Sequence, residues 1–151
     1  MPDQVHQKFY DQDFLQWCER TVSLLKEHRF DELELESLID EVDSLGKSQK
    51  QQLYNRLNIL LVHLLCLRYW IPKDERERCS RGWRLTVDEQ QRRIKKLLKT
   101  SPSLNPYLET ILEECYSESR ERFLLKSGME FDLEDIVPQE NPFELDQLRG
   151  Q

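Results

Sequence analysis

Long hydrophobic runs are missing from this sequence. The longest, residues 59–67, is interrupted by His63 and falls far short of the ~20 apolar residues a membrane-spanning helix needs. A bilayer-embedded chain is therefore excluded. Glycine and proline are scarce, 4 and 6 in 151 residues, which excludes collagen-like and low-complexity chains. Histidine occurs only at His6, His28 and His63, and only His63 has an apolar setting, so an imidazole-based triad has few candidates. No Gly-rich phosphate loop, Gly-x-Ser-x-Gly elbow, His-Glu-x-x-His or Cys-x-x-Cys pair occurs, so the familiar enzyme and zinc templates are absent. Cys18, Cys66, Cys79 and Cys115 lie far apart, in apolar patterns or beside basic residues, which suits reduced thiols. The polar stretch 1–10 lacks the apolar centre of a secretory signal. These absences predict a cytoplasmic protein with no membrane association and no cofactor.

What is present is helical periodicity. Apolar residues make up 38% of the chain and charged ones 34%, enough for one real core and too apolar for wholesale disorder. Residues 13–28 place Phe14, Trp17, Cys18, Thr21, Leu24 and Leu25 at helical spacing. Asp31 is a plausible N-cap for a second helix striped by Leu35, Leu38, Ile39, Val42 and Leu45, with Gly46 as its stop. Ser48 then caps a third helix over about 48–69, apolar nearly all round and so expected at the centre. Pro72 ends it. Residues 73–85 read as a polar connector, and Thr86 to Glu89 as a capping box for a fourth helix with Val87, Ile94, Leu97 and Leu98. Asn105 and Pro106 open a fifth helix that Gly128 closes. The expectation is an all-α bundle of about five helices over residues 1–128. An acidic, mostly irregular tail over 129–151 carries one short helix near 141–148 and is packed on the bundle or partly mobile.

Charge is segregated along the chain. Residues 1–67 hold 7 basic and 12 acidic groups, residues 68–99 hold 11 and 5, and residues 100–151 hold 4 and 12. The basic block is Arg68, Lys73, Arg76, Arg78, Arg81, Arg84, Arg92, Arg93, Lys95, Lys96 and Lys99, with Trp83, Trp70 and Tyr69 available for stacking. If these cations point outward together they form a phosphate-binding face, and the protein binds or cleaves nucleic acid. If they pair with neighbouring carboxylates they are only a solvated face, and the net charge of −7 favours that alternative. His63 and Cys66, at i and i+3, share a helix face and are the only metal-site candidates; without a second ligand pair, a core histidine beside a buried thiol is the simpler reading, and no metal is expected. Glu36, Asp40 and Asp43 also share a stripe, but it lies opposite Leu38, Val42 and Leu45 and reads as solvated.

Several segments together resemble one family: Tyr10-Asp-Gln-Asp-Phe-Leu-Gln-Trp17, Leu38-Ile-Asp-Glu-Val-Asp-Ser-Leu-Gly46, His63-Leu-Leu, Tyr69-Trp70 with Arg81-Gly-Trp83, Ser101-Pro-Ser-Leu104, and Asn141-Pro-Phe143 with Gln147. In this order, over nearly the whole length, the chain resembles the domain of unknown function 29 family, which is largely cyanobacterial. The resemblance implies a small, mostly helical protein without an established activity. Gly82 stands where His often precedes the Trp in that family, and Asn141 where Cys often precedes the Pro; both departures speak against a metal site there. The functional expectation is a non-catalytic interaction or regulatory protein with a protein partner. The apolar residues Phe131, Ile136, Phe143 and Leu145 of the tail are candidates to dock on a partner or on their own bundle, and the third helix offers faces for self-association.

Overall fold

The computed structural model describes residues 10–151. The stretch 1–9, with His6, and the side chain of Phe131 lie outside the described residues. Helices α1 (Phe14–Lys26), α2 (Leu35–Tyr69), α3 (Lys73–Thr100), α4 (Leu104–Ser127), α5 (Glu130–Leu133) and α6 (Leu145–Leu148) follow one another without a strand among the described residues, and a 3₁₀ turn spans Phe30–Glu32. The chain is all-α, as its periodicity predicts. It divides into two compact units, Met1–Ser48 and Gln49–Gln151.

In the first unit, the Asp13 side chain caps α1 by accepting from the Gln16 amide at 3.1 Å. Trp17, Thr21 and Leu24 form its buried row, and Tyr10 packs edge-on against Trp17 at 4.8 Å. His28, in the left-handed region at φ 58°, ends the helix as Arg29 N–H reaches the Leu24 carbonyl at 2.9 Å. Asp31 is not a cap for α2: it lies inside the 3₁₀ turn, and α2 starts four residues later. The expected break at Gly46 and Ser48 is also absent, since α2 runs unbroken through both. A glycine inside a helix costs only about 1 kcal/mol relative to alanine. To stop a helix it must adopt a positive φ, which among the described glycines only Gly128 and Gly150 do. Good helix formers follow Gly46, and Lys47 bridges back to Asp43 at 2.8 Å.

In the second unit, the later half of α2 is the centre, with Leu53, Leu57, Leu60, Leu61, Leu65 and Cys66 fully buried. This part of the expectation holds. The connector expected at 73–85 is instead the first half of α3. Its charged residues are strong helix formers, Asp74 and Glu75 suit the positive end of the dipole, and a solvated helix face has the same composition as a loop. Thr86 therefore caps nothing; its hydroxyl bonds back to the Gly82 carbonyl at 3.2 Å within the helix. α4 begins one residue before Asn105, with Ser103 at the cap position and Pro106 in the first turn. Gly128, at φ 68°, closes it as expected.

Residues 129–151 contribute Leu133, Val137, Phe143 and Leu148 to the buried cluster, while Ile136 is exposed. Arg120 of α4 donates to the carbonyls of Glu134 (2.7 Å), Val137 (3.1 Å) and Pro138 (3.1 Å), and the Tyr116 hydroxyl donates to Pro138 as well. At the other end, Gln91 of α3 donates to the Gln147 carbonyl at 2.8 Å. Gly150 fits there only because it lacks a side chain: a Cβ would stand 2.7 Å from the Gln91 carbonyl oxygen.

Candidate functional site

The basic block lies mostly on α3. At about 100° per residue, Arg78, Arg81, Arg84, Arg92, Lys95 and Lys96 fall on one side, opposite the buried Ile94 and Leu98. The stripe is mixed rather than purely cationic. Arg78 pairs with Asp74 (3.9 Å), Arg93 with Glu89 (2.8 Å) and Arg92 with Asp88, all one turn back on the same helix. Such exposed pairs contribute about 0.3–0.5 kcal/mol each and draw cationic field away from a ligand. Arg81, Arg84, Lys95 and Lys96 make no ion pair among the described residues. Arg76 donates to the Arg68 carbonyl at 2.7 Å, and the Arg68 guanidinium stacks 4.7 Å above the Phe143 ring. Trp83 is not a free stacking platform: it lies half-buried 5.3 Å from Trp70, which meets the fully buried Phe123 at 6.1 Å.

Tertiary structure adds a cation that spacing along the chain could not connect. Arg56 of α2 joins Arg93 and Lys96 of α3 around an open groove of about 420 Å³, with Gln52, Leu97 and Thr100. No periodicity links a residue at 56 to one at 93, so no sequence signal marks this grouping.

His63 and Cys66 do not gather further ligands, and among the described residues no group of three or more His, Cys, Asp or Glu stands close enough to hold a metal. His63 is half-buried, with Nδ1 2.8 Å from the Ile59 carbonyl. Burial lowers its pKa, outweighing that carbonyl's opposite pull, and the Lys126 charge lowers it further. Burial likewise pushes the Cys66 thiol up to about 11 and the Cys115 thiol up to about 12, far from a reactive thiolate. A lowered histidine pKa means that the unfolded chain takes up a proton more readily than the folded one. Stability linked to His63 is therefore complete above the ordinary histidine value of ~6.5 and is lost as the pH falls through the lower folded value. Thermal melts at pH 7.5 and 5.0 should show wild type losing more Tm on acidification than His63→Gln; equal losses would contradict this.

The first unit presents a surface that the expected bundle did not contain. The stripe Leu35, Ile39, Val42 and Leu45 of α2 is 55–67% exposed, and on α1 Phe14, Leu15, Val22 and Leu25 are 38–67% exposed. Tyr10, just before α1, hydrogen-bonds Glu41 of α2, while the turn at Phe30–Glu32 joins the opposite ends, so the two helices form an antiparallel hairpin. The carboxylate of Glu41 raises the Tyr10 hydroxyl to about 12. On each helix the exposed stripe lies about 100° onward from the row facing the other helix. In antiparallel helices equal rotations lead to the same side, so the stripes form one continuous apolar face. Neither contributes to the core that their spacing suggested.

The family model for a domain of unknown function, DUF29, matches residues 9–150. The chain belongs to the DUF29 family. No curated protein and no solved structure matches it. The segments that carry the resemblance are, in this DUF29 chain, chiefly packing and turn elements. Tyr10 and Trp17 pack within the hairpin, Trp70 and Trp83 pack together, and Ser101 bonds Gln49 at 2.6 Å. Asn141 closes a turn with the Phe143 amide at 3.0 Å. Leu38 to Gly46 is the exception, because that segment carries part of the exposed face. No helix of the described residues is long and apolar enough to cross a membrane.

Proposed function

We propose that this DUF29 protein is a non-catalytic interaction module of the cytoplasm, binding a protein partner through the hairpin of α1 and the first half of α2. The observation that carries this reading is the continuous apolar face, eight large side chains each more than a third exposed. A contiguous exposed apolar face of this kind marks an interaction site rather than ordinary monomer surface. The four cysteines are free, which suits a reducing compartment.

Nucleic acid is the weaker reading. The cations of α3 share their stripe with acids, and its aromatic residue is packed inward, so stacking contributes nothing.

Photo-crosslinking in the native cell tests the proposal. A photoreactive residue at Val42 or Leu45 should yield a discrete protein adduct, and one at the exposed Glu121 of α4 should not. Absence of any adduct from both face positions, with the chain folded and expressed, would sink the proposal.

A further inference from the structure

The charge of the hairpin identifies what its apolar face accepts. Residues 10–48 contain 11 acidic and 4 basic side chains, net −7, the same value as the whole chain. Residues 49–151 hold 17 of each sign and are neutral. All of the protein's net charge is thus concentrated in the unit that carries the unpartnered face. On α2 the acids form a row beside the stripe: Glu36, Asp40 and Asp43 lie about 120° beyond its centre, on the side away from α1. Asp43 is bridged by Lys47, whereas Glu36 and Asp40 make no ion pair among the described residues. On α1, Glu19 lies beyond the stripe in the same way.

Resting on the interaction-module reading, we propose that the face receives one basic amphipathic helix of a partner protein. Its apolar side would lie along the groove between the stripes, and its Lys or Arg residues would flank that side and meet the acidic row. The stripes run from Leu35 to Leu45 and from Phe14 to Leu25, eleven and twelve residues, a rise of about 15–17 Å, which matches roughly three turns of a docked helix. A second copy of the chain fits poorly. Hairpin against hairpin sets −7 against −7 and leaves Glu36 and Asp40 facing like charge. The chain's own basic helix does not supply the occupant either, because the apolar row of α3 is already buried through Ile94 and Leu98.

The test uses the full-length chain and a fluorescein-labelled 18-residue peptide of leucine and lysine with leucine at helical spacing. A scrambled peptide of identical composition and a leucine–glutamate version of the same pattern serve as comparators. Anisotropy titrations should show the Leu/Lys helix binding at least 10-fold tighter than either comparator, and more weakly as salt rises. Val42→Ser with Leu45→Ser should weaken binding at least 10-fold without changing net charge. Glu36→Lys with Asp40→Lys should do so while leaving the apolar stripe intact. All four positions are exposed, and unchanged circular dichroism would confirm that both variants fold.

Equal binding of the scrambled peptide, or no loss in the serine variant, reduces the effect to bulk charge and overturns the proposal. So does a sedimentation result in which wild type is a dimer and the serine variant a monomer, since the occupant is then a second copy. If crosslinks form at Val42 and Leu45 but the Leu/Lys helix does not bind, the interaction module stands and only the partner's chemistry is wrong.

Discussion

Phe123→Ala is expected to lower the unfolding free energy by about 3–5 kcal/mol. The ring is fully buried in α4 and meets Trp70 edge-on at 6.1 Å, and Trp70 in turn packs against Trp83 of α3. This aromatic chain ties the end of α2 to both later helices. Truncation removes the transfer energy of the ring and leaves a cavity. Urea unfolding followed by circular dichroism and tryptophan fluorescence should show a lower midpoint with an unchanged slope. A loss below 1 kcal/mol would mean that the site collapses around the cavity and that the aromatic chain does not brace these helices.

Arg120→Ala is expected to cost about 2–3 kcal/mol, because hydrogen bonds to a charged donor contribute about 1.5–3 kcal/mol and unpaired part-buried carbonyls add a penalty. Arg120 is the fork that gathers the carbonyls of Glu134, Val137 and Pro138. Its loss should act locally first. Hydrogen exchange should accelerate at the amides of Leu133 and Val137, which bond to the Met129 and Leu133 carbonyls at 3.0 and 2.9 Å, before it changes in the centre of α2. Arg120→Lys keeps the charge but not the planar fork, so it should recover only part of the loss. Unaltered exchange at both amides in Arg120→Ala would show that apolar burial alone seats residues 129–151.

The helical class, the Pro72 stop and the Gly128 stop are all legible, because each depends on groups within a turn of one another. The structure departs from the sequence expectation where local signals are nearly balanced. At Gly46 a continued helix and a stop differ by about 1 kcal/mol. At residues 73–85 a charged helix face and a polar loop have the same composition. Arg120 and Arg56 carried no signal, since their roles depend on residues 14–18 and 37–40 positions away.

The sequence alone determined that this DUF29 chain is helical, lacks known catalytic motifs and carries its charge in blocks, because these are properties of composition and short-range periodicity. Only the tertiary structure decided which apolar stripes serve folding. Leu35 to Leu45 and Leu53 to Leu64 repeat at similar helical spacings, yet the second set is buried against α3 and α4 while the first remains open beside the residues that hold the entire net charge. Spacing places side chains on a face, but only long-range packing supplies, or withholds, the surface that covers it.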